Sequence, residues 1–127
     1  MSADPVGEWA WSDAWVLAAA PDTPTGCSLS DLIRTADGIN HAIVTLDELA
    51  DGLGALLAAG LLEVRGDHFR TTAAGQAIKK HWKGGLFGWS RSLLPHLRTL
   101  PRPRERFEIS RADYDAAVTK YLRRVPR

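Results

Sequence analysis

Residues 45–75 read TLDELADGLGALLAAGLLEVRGDHFRTTAAG, and this stretch decides the fold. Thr45 and Glu48 stand at the spacing of a capping box, in which each side chain satisfies a backbone N–H that a helix start leaves unpaired. Leu46, Leu49, Leu53, Leu56 and Leu57 then recur every three or four residues, the period of one apolar helix face. Gly60 follows the last turn, where a residue with positive φ ends a helix at low cost. From Leu61 to Arg65 the period shifts towards two. Gly66-Asp67 fits a two-residue hairpin turn, because the turns that match strand twist need positive φ. That turn predicts Val64 opposite Phe69, Glu63 opposite Arg70 and Arg65 opposite His68. Val64 and Phe69 are expected to face the core, and Glu63 and Arg70 to join opposite charges across the strands. Thr71 or Thr72 caps a further helix.

Towards the amino terminus, residues 40–44 form the turn before this unit. Ser28 and Asp31 have cap spacing, and Leu32, Ile33, Ala36 and Ile39 give the preceding helix its buried face. Pro21-Asp22-Thr23-Pro24-Thr25-Gly26 is a loop by its punctuation. Ser12 can cap a first helix, with Asp13 favourable in its first turn. Trp11, Trp15 and Ala18 share a face of that helix, and the spacing favours packing over a ligand box. Residues 1–8 are read as loose.

Towards the carboxyl terminus, Ala74, Ala77, Ile78 and Trp82 continue a fourth helix, and Gly84, Gly85 and Gly88 break it. Ser90 or Ser92 opens a fifth, with Pro95 tolerable only in a first turn. Leu93, Leu94, Leu97 and Leu100 form one of its faces. Pro101-Arg102-Pro103-Arg104 reads as a stiff basic linker. Ser110 and Asp113 have cap spacing, and Tyr114, Val118, Tyr121, Leu122 and Val125 line a sixth helix.

The order helix, hairpin, helix after an earlier short helix resembles the winged helix-turn-helix of bacterial transcription regulators. The residues that carry the resemblance are Leu57-Ala58-Ala59-Gly60-Leu61-Leu62, the short wing, and Phe69-Arg70-Thr71-Thr72 with Gly75, within residues 10–82. It implies a mostly α fold with a small β-hairpin wing (α+β). The chain then divides into a winged-helix domain, 9–83, and a basic helical C-terminal extension, 84–127. The resemblance also implies a non-catalytic regulatory protein associated with double-stranded DNA.

Composition sets limits. The chain has 127 residues, 45% hydrophobic and 24% charged, the balance of a soluble globular protein. No apolar run approaches a membrane span, and MSADPVGE lacks the positive region of a signal peptide. The lone Cys27 excludes an internal disulfide and suits a reducing cytoplasm. The net charge of +1 hides a division. Residues 1–78 carry three basic and eleven acidic residues, a net of −8; residues 79–127 carry thirteen and four, a net of +9. Such asymmetry suggests either an interaction surface or two halves that neutralise each other.

Catalytic chemistry is not advertised. His41, His68, His81 and His96 are scattered, without metal-ligand spacing. Gly84-Gly85 and Gly88 lack the Lys-Ser or Lys-Thr of a phosphate loop. Asp47, Glu48 and Asp51 share a helix turn, either as a cation site or as a solvated face. No metal or cofactor is implied.

In the winged-helix family the second helix of the motif, here residues 46–59, enters the major groove. Reading bases needs Arg, Lys, Asn or Gln donors, and this helix has none. DNA contact therefore falls to Arg65, His68 and Arg70 of the wing and to Arg91, Arg98, Arg102, Arg104 and Arg123 of the basic half. Trp82, Phe87, Trp89 and Phe107 are interleaved there. The alternative is a protein–protein adaptor or dimerisation module with the same fold and no DNA binding. Its interface would be Ala50, Gly54 and Ala58, a small-residue stripe that another helix can approach closely. That helix is internal, such as a sixth helix with Ala112 and Ala116, or belongs to a second subunit or another protein. Gly52 and Gly54 each weaken the isolated helix by about 1 kcal/mol relative to Ala, so packing must hold it.

Overall fold

The computed structural model describes residues 6–124. In chain order the elements are β1 (Val6–Gly7), α1 (Trp11–Ala19), α2 (Leu29–Asn40), α3 (Leu46–Ala58), β2 (Leu62–Arg65) and β3 (His68–Thr71). Then follow α4 (Ala73–Lys79), α5 (Trp89–Leu97), β4 (Arg102–Pro103) and α6 (Arg111–Arg124). The protein is mostly helical, with an antiparallel β2–β3 hairpin and a second small pair, β1–β4.

Helix α1 lies at the centre. Every residue from Asp13 to Ala19 is buried, and α2, α3 and α5 all pack against it. A helix that is apolar all round is stable only when surrounded, and the alanines at 14, 18 and 19 let neighbours come close. The cap differs from the expected Ser12. The helix starts at Trp11, and the Asp13 carboxylate reaches back to accept the Ala10 N–H at 2.8 Å.

The other early elements follow local signals. Ser28 caps α2 by accepting the Asp31 N–H at 3.2 Å, and Leu32, Ile33, Ala36 and Ile39 are buried. The Thr45–Glu48 box closes in both directions, at 3.0 and 3.2 Å. Leu49, Leu53 and Leu56 of α3 are fully buried. Hairpin β2–β3 has the expected register, Val64 to Phe69, Glu63 to Arg70 and Arg65 to His68, around Gly66 at φ +63°. Thr72 caps α4. Only Phe69 of its pair faces the core; Val64 is 37% exposed. Val64 lies beside the exposed turn, whereas Phe69 is held inward from its other side. Its backbone exchanges two hydrogen bonds with Cys27, at 2.9 and 2.8 Å, and its ring meets the edge of Phe107.

The carboxyl-terminal half departs further from expectation. Helix α4 ends at Lys79 and does not run on to Trp82. Pro95 falls in the last turn of α5, not the first. It leaves the Arg91 carbonyl without its helical donor, and both residues are at the exposed surface, where water can serve. Ser92 does not open the helix; its hydroxyl accepts the Lys83 N–H and donates to the Lys83 carbonyl, each at 3.0 Å, closing the intervening loop. The Pro101–Arg104 stretch is no linker. Arg102–Pro103 pair with Val6–Gly7, part of the segment read as loose, whose first five residues lie outside the described ones. Residues 105–107 then cross α3 as a strap, with the Phe107 N–H donating to the Ala50 carbonyl at 2.9 Å.

Helix α6 is fastened to the α2 side. Ser30 donates to the Ala117 carbonyl at 3.0 Å, Tyr114 to the Val44 carbonyl at 2.6 Å, and Tyr121 to Asp37. Tyr114, Ala117 and Tyr121 are buried, Leu122 is exposed, and Val125 lies outside the described residues. Trp89, Leu93, Leu97, Tyr114, Ala117 and Tyr121 share one core cluster with α1, α2 and α3. Residues 84–124 are thus built into the common core. No described helix is long and apolar enough to cross a membrane.

Two glycines should respond oppositely to alanine. A Cβ at Gly54 would stand 2.3 Å from the Glu105 carbonyl oxygen, while one at Gly38 meets nothing within 4 Å. Gly38→Ala should stabilise by about 0.5–1 kcal/mol through reduced chain entropy. Gly54→Ala should destabilise despite its better helix propensity, because the strap must shift. Leu53→Ala should cost about 2–5 kcal/mol. Urea melts of the three variants test the packing; a Gly54→Ala protein as stable as Gly38→Ala would remove the strap from α3.

Candidate functional site

Part of the acidic charge of the first half is paired with cations of the second half. Asp13 is clamped by Arg102, whose Nε and Nη2 donate at 2.8 and 3.0 Å. That hydrogen bonding raises the Arg102 pKa further, so the guanidinium stays charged. Arg106 forks across the start of α3, donating to Asp51 at 2.7 Å and Asp47 at 2.9 Å. The cation for this acidic turn is therefore the chain's own guanidinium. Lys79 donates to Asp22 at 3.0 Å and to the Ala20 carbonyl at 2.6 Å.

The small-residue stripe is also occupied in part. Ala50 and Gly54 are buried beneath the strap, at an extended segment where a sixth helix was the expected internal partner; Ala58 is exposed. The α3 residues left exposed are Asp47, Asp51 and Ala58, which offer no base-reading donor.

The wing carries little net charge. Arg70 is bound to Glu63, which lowers the glutamate pKa, and Arg65 lies 3.9 Å from the same carboxylate. The His68 ring contacts the Thr25 carbonyl at 3.1 Å, with Asp67 nearby at 3.8 Å. Two arginines against Glu63 and Asp67 leave the tip close to neutral. Beside it, a groove floored by Leu29, Phe69, Phe107 and Ala117 is rimmed by Asp67, Glu108, Asp113 and Lys120. Three carboxylates to one lysine repel a polyanion.

A different region, around α4 and α5, is rich in basic residues, with Asp22 at its edge beside Lys79 and Lys80. Residues 68–104 contain neither Asp nor Glu. Helix α5 and the end of α4 are locked together there by the Ser92–Lys83 hydrogen bonds and by the His81 and His96 rings, stacked at 3.6 Å. Lys80, Lys83, Arg91 and Arg98 are exposed on this face and form no ion pair among the described residues. Arg104 and Arg123 are likewise exposed and unpaired, on β4's flank and on α6. Of the eight residues proposed from sequence, Arg91 and Arg98 thus share a face, Arg65, His68 and Arg70 sit together on the wing beside Glu63 and Asp67, Arg102 is tied to Asp13, and Arg104 and Arg123 stand apart.

Next to Arg91 runs an open groove between α1, the end of α2 and α5. Trp11, Ile39, Asn40, Phe87, Trp89, Ser90, Arg91 and Leu94 line it. Trp11 is 46% exposed, Leu86 55% and Phe87 53%. Trp11, Trp15 and Trp89 form a cluster with ring centroids 5.5, 5.7 and 6.3 Å apart. His41, at φ +53°, sets its ring 5.1 Å from Phe87. Sequence reasoning missed this site because Trp11 and Phe87 are far apart in the chain. The available signal was Leu86-Phe87 bracketed by glycines in a loop, where a helix cannot bury them.

Among the described residues no three metal-ligating side chains converge. Comparison with family models, characterised proteins and solved structures yielded no match to this chain.

Cys27 is the lone thiol, and burial first, then Asp31, raises its pKa from 9.0 to about 11. A raised pKa means that the fold prefers the neutral thiol. Its stabilising contribution is complete below 9.0 and is lost as pH climbs towards 11. At neutral pH iodoacetamide should alkylate Cys27 more slowly than it alkylates free cysteine, because thiolate is the nucleophile. A rate equal to that of free cysteine would contradict the buried thiol.

Proposed function

We propose that the chain is a non-catalytic winged-helix regulatory protein that associates with DNA through the α4–α5 face. The observation that carries this reading is the acid-free run 68–104, which leaves Lys80, Lys83, Arg91 and Arg98 exposed without carboxylate partners. Arg102 and Arg106 screen Asp13, Asp47 and Asp51, three of the carboxylates that would oppose a polyanion. The hairpin next to α3 supports the winged-helix assignment, but the near-neutral wing and the acidic exposed face of α3 point away from base reading in the major groove. Binding on this basis is electrostatic and tolerant of sequence. A second reading, a protein–protein adaptor, draws support from the exposed Leu86 and Phe87.

Contacts to about 3–4 phosphates give a log–log salt slope of roughly −3 to −4. Fluorescence anisotropy with a labelled duplex should show affinity falling at that slope between low and physiological salt. Arg91→Glu with Arg98→Glu should flatten the slope and weaken binding to every sequence tested. Arg65→Glu in the wing should do so much less. No binding of either duplex or single-stranded DNA at low salt would eliminate the DNA reading in favour of the adaptor.

A further inference from the structure

The groove beside Arg91 is built of exposed aromatic surface. Exposing a tryptophan ring is unfavourable, and Trp11 is nearly half exposed although Trp15 and Trp89 hold it in place. The other four indole N–H groups are satisfied internally: Trp9 by the Leu100 carbonyl, Trp15 by Ala36, Trp82 by Gly85 and Trp89 by Ile39. The Trp11 N–H has no partner among the described residues. Across the groove, Phe87 stands exposed on the loop after Gly85, steadied by His41.

The lining contains no carboxylate. It offers Arg91 as a cation, and Asn40 and Ser90 as hydrogen-bonding groups. Flat apolar rings with donors at the edge and a cation at the rim complement a ligand that is planar, aromatic and attached to an anionic backbone. A base in a duplex hides its face in the stack, whereas an unpaired base offers it.

We propose that this groove binds single-stranded DNA, stacking an unpaired base against Trp11 and Phe87 while Arg91 meets its phosphates. The inference rests on the DNA reading above and specifies which form of DNA the face prefers. Base–aromatic stacking is sequence-tolerant, which agrees with a face that has cations but no base-reading helix.

The test compares a labelled oligothymidine of about twelve nucleotides, within the usual site size of such proteins, with a duplex of equal length. The oligothymidine should bind more tightly and quench tryptophan fluorescence. Phe87→Ala lies on an exposed loop and should fold normally; Trp11→Ala removes the stacked ring. Each should weaken oligothymidine binding by about 5- to 150-fold, the span of one stacked base, with duplex affinity unchanged. Duplex binding that equals or exceeds oligothymidine binding, with both variants behaving as wild type, overturns this inference and leaves the electrostatic reading standing. Absence of binding to either probe at low salt overturns both. Tighter binding of an oligouridine assigns the groove to RNA and overturns the proposal. A dimer in solution that Phe87→Ala dissociates shows the groove filled by a second copy and also overturns it.

Discussion

One buried carboxylate governs the arrangement of this chain. Asp13 has a side chain only 2% exposed, and a charge so placed is tolerable only when it is paired and hydrogen-bonded. Three donors meet the requirement, the Ala10 N–H and two nitrogens of Arg102. The first sets where α1 begins. The other two fix β4 beside β1 and bring the Arg102 guanidinium over the Trp9 ring, 5.6 Å from its centroid. Once Arg102 is anchored, the next residues can only run across α3, where Gly54 has no side chain to obstruct them.

The same anchoring sorts the charges. The sequence has an acidic half and a basic half, and the strap brings part of the second onto the first. Arg102 and Arg106 leave the basic pool to serve Asp13, Asp47 and Asp51. What remains unneutralised is concentrated where no acid is near in sequence. Internal pairing, one reading of the charge division, therefore accounts for some residues and leaves Lys80, Lys83, Arg91 and Arg98 exposed. The cost of desolvating α1 and α3 is met by packing small residues, Ala14, Ala18, Ala50 and Gly54, against neighbours at short range.

What could be read from the sequence was local. Ser28, Thr45 with Glu48, Thr72 and Ser110 cap their helices through bonds to residues three positions away, and the Gly66 turn carries the strand register with it. The Val64 burial was misjudged because alternation assigns a side but not the extent of the core beneath it. Asp13 and Arg102 meet across 89 positions, and no period or motif encodes that encounter. The basic face was half legible: its arginines could be named, but their partners decide which are available. The aromatic groove draws Trp11, Ile39 and Phe87 from three separate elements, so only the assembled fold defines it.

The strap has a consequence for the order in which the molecule is made. Helix α1 leaves the ribosome early, yet the arginine that neutralises its buried aspartate is 89 residues behind. At a synthesis rate of about 5–20 residues per second, that gap lasts roughly 4–18 s. During it the most apolar helix of the protein has neither its cation nor α5 to cover it. The amino-terminal segment completes its core only after Arg102 has joined it, so the decisive step of folding is non-local. Non-local closure of this kind also slows refolding relative to a bundle made of sequence neighbours.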